Sequence, residues 1–397
     1  VSVTFPAGFR ASGVTAGFKP SGLPDLGLLV GDPGTTAAGL FTTNLVSAAP
    51  VRLSRARLAL GGPRAVLVNS GQANAATGAR GDADAATATD GAAAALGLEP
   101  ADVLPCSTGV IGEPLHLAQF DAALPALVDA LSPEGGEDFA LAIMTTDTVD
   151  KRATAGGDGI RVGGCAKGVG MIAPNLATML AFVTTDAAVA APDLQRIADE
   201  QLRPRFNALT VDASTSTNDT VLLFASGAAG APPAAPGSLA WVRLAESVAA
   251  VGESLLRQLA ADAEGANHVL IVEVEGADAE ADARAIAKAV ADSPLVKTAA
   301  FGGDPNPGRI LQAVGAAGVA FDVASLDVFI GDVQVAEGGV IPSAYFDDDS
   351  LIEKARAQMR APEIAIRVLV GDGRGRSRAM GCDLSYEYVR INGEYTT

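Results

Sequence analysis

Histidine, cysteine and basic residues are scarce in this chain, and each shortage closes off a chemistry. Two histidines, His116 and His268, stand among 397 residues. A Ser-His-Asp hydrolase needs a histidine beside its nucleophile. His116 falls in a helical pattern and His268 opens a strand, so both read as structural, and the base of any enzyme here must be another group. Three cysteines, Cys106, Cys165 and Cys382, are scattered without a CxxC pair. That argues against a disulfide framework and against the tight ligand sets of zinc sites. No metal is expected, and a reducing, cytoplasmic setting is. Lys and Arg number 28 against 46 Asp and Glu, a net charge of −18 with no basic run. Such a balance weighs against nucleic acid and anionic membrane surfaces as partners. No apolar run approaches the ~20 residues of a membrane span, and the first residues read as no signal peptide. GxxxxGK[ST] is missing and no GxGxxG follows a strand. The glycine-rich run 163–168 has the wrong spacing for a phosphate loop.

What the chain does have is apolar substance, 49% of its residues. That suffices for two or three domains or one large α/β unit. The stretch from Lys167 to Val183 begins as a glycine-rich loop and ends as an apolar run, with Thr178 at the changeover. A threonine there is ordinary as the first residue of a strand. The alternative is that the chain cuts itself before Thr178. The new α-amine would then serve as base for the Thr178 hydroxyl; it titrates near ~7.7–8.0, so part of it is unprotonated at neutral pH. The shortage of histidine favours the second reading.

Several other stretches bear on the choice. A short buried strand, 65–69, runs into Ser70-Gly71-Gln72-Ala73-Asn74-Ala75-Ala76-Thr77-Gly78, a turn or a ligand-facing loop. Another strand leads into Ser107-Thr108-Gly109. A hydroxyl beside a backbone N–H has the parts of an oxyanion hole, although a plain turn has the same composition. Residues 142–148 form a polar β-branched cluster, either an exposed strand or a substrate wall. The run 210–220 is dense in hydroxyls. Periodicity predicts helices over 79–97, 117–131, 192–203, 239–263 and 279–292, and strands over 268–274, 364–370 and 385–391. Asp347-Asp348-Asp349 reads as a helix cap ahead of Ser350 rather than a metal site. The tail 392–397 reads as frayed.

Taken together and in order, NSGQANAATG, STGVIG, IMTTDT, GGCAKGVGMIAPNLATML, DASTSTNDT, AEGA, SPLVKTAAFGGDPNPGRI and NGEYTT resemble one family. It is the ornithine acetyltransferases, also called glutamate N-acetyltransferases, of arginine biosynthesis, and the resemblance runs from about Gly8 to Thr397. It implies an α/β fold, a sandwich of sheets and helices of the self-processing N-terminal-nucleophile type, and not a Rossmann sheet. It implies cleavage between Ala177 and Thr178 into an α chain, 1–177, and a β chain, 178–397, assembled as a heterotetramer or larger. By the same resemblance Thr178 is the nucleophile that carries the acetyl group from N-acetylornithine to glutamate, with ping-pong kinetics. Thr108 and Gly109 match the oxyanion pair, and Thr145, Lys167, Thr178, Glu264, Asn392 and Thr397 match substrate-contacting positions. No cofactor is implied, and acetyl-CoA stays open as a co-substrate. Three positions depart from the pattern: Pro307 for a tryptophan, Gln72 for an asparagine and Cys165 for a methionine. The competing readings are a self-processing aminopeptidase or amidohydrolase of the related fold and a non-catalytic binding protein.

Overall fold

The computed structural model describes residues 2–157, 159–173, 179–347 and 349–394. Ala177, Thr178 and Thr397 lie outside them. By packing, the chain divides into two compact units. The first takes the chain up to Asn207 together with Thr215–Leu259; the second takes Ala208–Ser214 and the described residues from Ala260 on. This division by contacts is separate from the expected division by a cut at 177/178.

The first unit carries nine strands among the described residues: β1 (Phe9–Val14), β2 (Leu26–Gly31), β3 (Thr36–Phe41), β4 (Ala65–Gln72), β5 (Val103–Val110), β6 (Lys151–Gly157), β7 (Ile160–Lys167), β8 (Leu180–Thr185) and β9 (Thr220–Ala225). They form two sheets, ordered β1-β2-β4-β5 and β3-β9-β8-β7-β6. Strand side chains alternate between faces, and the first sheet uses both. Leu29, Val66, Val68, Leu104 and Cys106 point one way and meet Cys165, Leu180, Phe182, Leu222 and Phe224 of the second sheet. Leu28, Val30, Leu67 and Val103 point the other way, against Ala88, Ala92, Phe120 and Leu127 of the helices Gly78–Leu96 and Leu117–Asp129. Because both faces are covered, strands such as Leu26–Gly31 are apolar or small throughout and buried at every position. On the far side of the second sheet, the helix Leu239–Ala261 packs so closely that a methyl group on Gly164 would lie 2.9 Å from Val251. The order helix, sheet, sheet, helix is the expected sandwich.

Two pairings fix where the expected residues Thr108, Gly109 and Lys167 lie. β4 and β5 run parallel with Ser70 opposite Thr108 and Gly71 opposite Gly109. β7 and β8 run antiparallel with Lys167 opposite Leu180.

The second unit is a five-stranded sheet in the order β12-β11-β13-β10-β14. Its strands are β10 (Val269–Ala277), β11 (Asp327–Ile330), β12 (Val333–Ala336), β13 (Glu363–Leu369) and β14 (Gly375–Cys382). Its core joins Leu270, Val272, Val328, Ile364 and Ile366 to Ile286 and Val290 of the helix Glu280–Asp292. The strand expected over 385–391 is a helix, Tyr386–Glu394. The alternation of Tyr386 and Tyr388 with charged residues suggests a strand. Helical spacing wins because Arg390 pairs with Glu387 and Glu394, three and four residues away, and Ser385 Oγ accepts the Glu387 N–H at 3.1 Å. Residues 142–148 form no strand.

Candidate active site

Strand ends and loops of the first unit bring three of the expected residues together. Lys167, the last residue of β7, is 2% exposed. Its Nζ donates to Thr145 Oγ1 at 2.6 Å and to Thr108 Oγ1 at 3.2 Å. Since Thr108 accepts from a cation, its own O–H proton is left to donate elsewhere, as an oxyanion donor must. Gly109 follows at φ +128°, and a Cβ there would lie 2.2 Å from the Gly71 carbonyl carbon. Only glycine fits both the torsion and the close approach of β4.

Asp147 organises this cluster, and the sequence reading passed over it. Its buried carboxylate accepts from Lys151 Nζ at 2.7 Å, from the Gly168 N–H at 2.8 Å and from the Thr145 N–H at 3.0 Å, with Lys167 Nζ at 3.8 Å. Burial by itself raises a carboxyl pKa. Lys167 and Lys151, with the Gly168 N–H, more than offset that and hold Asp147 at about 2. Asp147 is therefore an anion that fixes the start of the 145–147 turn and positions two lysines. Its signal was present in the motif IMTTDT, one acid among threonines.

A second carboxyl, Asp219, behaves in the opposite way. It is fully buried and accepts the Met179 N–H at 3.0 Å, at the entrance to β8. Burial pushes its pKa well above the ordinary carboxylate range, against the Met179 N–H, nearby hydroxyls and the charge of Lys167. Asn218, beside it, spans from the Ala73 carbonyl at 2.6 Å to the Ser107 carbonyl at 2.8 Å. The hydroxyl-rich run thus ties the loop after β4 to the strand that carries Thr108.

In the second unit Glu264 and Asn392 are brought together. Asn392 Nδ2 donates to Glu264 Oε2 at 2.8 Å, with Glu264 8% exposed. Asn392 lies in the terminal helix rather than in a frayed tail.

The three departures have local explanations. Gln72 is buried, with Nε2 reaching the Phe18 carbonyl at 3.4 Å. Cys165 is buried between the two sheets, and burial pushes its thiol up, so it is inert packing. Pro307 opens the helix Pro307–Gly315, where the missing N–H costs nothing, behind the Asn306 cap. It also lines a cleft of about 370 Å³ with Ile341, Tyr345 and Phe346. Among the described residues no group of three His, Cys, Asp or Glu could hold a metal ion. No helix among them is long and apolar enough to cross a membrane.

The model of the ArgJ family matches residues 10–397. The chain is 46% identical to the arginine biosynthesis bifunctional protein ArgJ of Thermosynechococcus vestitus, covering 100% of this chain and 98% of the relative. It is 47% identical to the protein of the same name from Symbiobacterium thermophilum, with 100% and 98% covered. A crystal structure of arginine biosynthesis bifunctional protein argJ from Bacillus halodurans superposes with a TM-score of 0.51 at 37% identity. That superposition covers 54% of this chain and 98% of the other. With a family model matched over nearly its whole length and relatives aligned end to end, this chain belongs to the ArgJ family.

Proposed function

We propose that this ArgJ-family chain is an acetyltransferase of arginine biosynthesis, moving the acetyl group from N-acetylornithine to glutamate through an acetyl-threonine at Thr178. The observation that carries the reading is the Lys167 cluster. A buried ammonium joins Thr108 to Thr145 beside Gly109 and ends the strand paired with β8. In maturation, Thr178 Oγ attacks the Ala177 carbonyl carbon, the Ala177–Thr178 amide becomes an ester, and water hydrolyses it. The products are a carboxylate on Ala177 and an amine on Thr178. In turnover the amine takes the Thr178 hydroxyl proton and Oγ attacks the acetyl carbonyl. The Thr108 hydroxyl and the Gly109 N–H receive the oxyanion; loss of one such donor costs about 10²–10³ in rate. Ornithine departs with the proton, and the glutamate amine then takes the acetyl group in a second, reversed half-reaction.

Lys167, through its fixed charge beside the site, lowers the pKa of an amine placed near it. Glu264 and Asn392 suit a substrate amine, since one presents a carboxylate and the other an amide held against it. Thr145 and Thr397 are substrate-contacting positions by the family resemblance alone. The chemistry calls for no cofactor, and acetyl-CoA stays open as a co-substrate. The pieces 1–177 and 178–397 assemble as a heterotetramer or larger. Three buried free cysteines suit a reducing cytoplasm.

The test is an intact mass under denaturing conditions for the wild type and Thr178→Ala, followed by transfer of labelled acetyl from N-acetylornithine to glutamate. Two pieces, an uncut variant and labelled N-acetylglutamate are expected. Labelled acetate without N-acetylglutamate would make the protein a hydrolase of the related fold. One uncut chain in both samples would remove the amine base.

A further inference from the structure

We infer that Lys19 is a second substrate-holding cation of the first unit's site, taking the α-carboxylate that N-acetylornithine and glutamate share. The inference rests on the acetyl-transfer reading.

Lys167 alone is poorly placed to receive that carboxylate. An ammonium has three N–H donors, and Lys167 directs its own to Thr145 and Thr108, with Asp147 close by. Its nearest carboxylate is Asp147 at 3.8 Å, which also pairs with Lys151. Lys19 differs. Its Nζ donates to the Met144 carbonyl at 3.0 Å, one residue before Thr145. That accounts for one of its three donors, and the side chain is only partly buried.

The loop that carries Lys19 is built to hold it still. Asp25 accepts the backbone N–H groups of Ala16, Phe18 and Lys19 at 2.6, 2.5 and 2.9 Å. Phe18 in turn closes on the oxyanion strand pair. A Cβ on Gly71 would lie 2.9 Å from Phe18 Cβ, and Gly71 is the partner of Gly109. Contact therefore runs without a gap from the Lys19 loop through Gly71 to Gly109.

The charges agree with this placement. Burial lowers the Lys19 pKa and repulsion from Lys167 adds to it, while Asp25 and Asp147 oppose. Two fixed cations that repel each other are relieved when an anion enters beside them. A carboxylate arriving with the substrate would supply that anion. The two remaining Lys19 donors can meet its two oxygens in charge-assisted hydrogen bonds.

The experiment compares Lys19→Met and Lys19→Arg with the wild type. Cleavage is followed by intact mass, and acetyl transfer by initial rates with each substrate varied. Lys19→Met is expected to be cut normally and to raise KM for both N-acetylornithine and glutamate by about ten- to hundredfold. Its kcat at saturation should fall by far less, and Lys19→Arg should restore most of the affinity. Unchanged KM values in Lys19→Met overturn the assignment. A rise for glutamate alone also overturns it, because that would place the side-chain carboxylate at Lys19. If Lys19→Met fails to fold, lysine labelling of the wild type decides: saturating N-acetylornithine should protect Lys19 from reductive methylation, and equal labelling with and without it overturns the role. A wild type that transfers no acetyl sinks the acetyl-transfer reading itself, whereas an active wild type beside an unaffected variant sinks only Lys19.

Discussion

At the scale of single residues, two buried carboxyls make opposite demands on pH. Asp147 has a folded pKa of about 2 against an ordinary value of 3.8. A depressed carboxyl adds stability that is present above pH 3.8 and is lost as the pH falls towards 2. Asp147→Asn removes the carboxylate paired at 2.7 Å with the fully buried Lys151; breaking a buried pair costs about 3–5 kcal/mol. Its melting temperature should lie well below that of the wild type at pH 7, with the gap narrowing below pH 3.8. Asp219 has a folded pKa raised above 3.8. Its stabilising contribution is complete below pH 3.8 and is lost as the pH rises through the folded value. Asp219→Asn keeps an oxygen for the Met179 N–H and cannot ionise. Melting curves at pH 5 and pH 8 should find this variant gaining on the wild type at the higher pH; a constant difference would contradict the raised pKa. Gly109→Ala puts a Cβ at φ +128° and 2.2 Å from the Gly71 carbonyl carbon. It should lose at least about 1–3 kcal/mol to backbone strain and lose transfer with it, read by thermal melting beside the acetyl assay.

At the scale of elements, the Asn218 bridge gives a further expectation. Asn218→Ala removes the donors to the Ala73 and Ser107 carbonyls and leaves two buried acceptors unpaired, each costing about 1–3 kcal/mol. The drop should be visible in urea melts, with a loss of kcat from the slackened Thr108 strand. How far the sequence foretold such elements depends on the element. The run 65–69 and the long helices were legible because their apolar periodicity matches their burial. β14 was not: Arg376 and Arg378 interrupt it, and their reason is cross-strand, opposite Glu275 and Glu273 of β10. The terminal helix reads as a strand because Tyr386 and Tyr388 alternate with charged residues, while the Glu387–Arg390–Glu394 pairs that hold it are helical in spacing. For the site, Thr108, Thr145 and Lys167 are single members of distant motifs; resemblance named them, and the fold brings them to one ammonium. Lys19 had no signal at all, since it lies in a turn-rich stretch whose meaning comes from what it packs against.

At the scale of the whole molecule, the second sheet alternates between the two halves of the sequence. Its order β3-β9-β8-β7-β6 sets two strands that follow residue 178 between strands that precede it. A cut at 177/178 therefore leaves the pieces hydrogen-bonded along β3–β9 and β7–β8. The two pieces of the matured protein should elute together in gel filtration without denaturant and part only in urea or guanidinium. Co-migration lost at neutral pH would argue against this sheet.

The same weave makes history matter. An uncut chain assembles the sheet by closing loops on itself, at a rate that dilution leaves alone. Once severed, the pieces that are shaken apart must find each other by diffusion, and recovery slows in proportion as they are diluted. A cut at 177/178 would thus turn a fold that closes on itself into one that, once taken apart, is slow to remake.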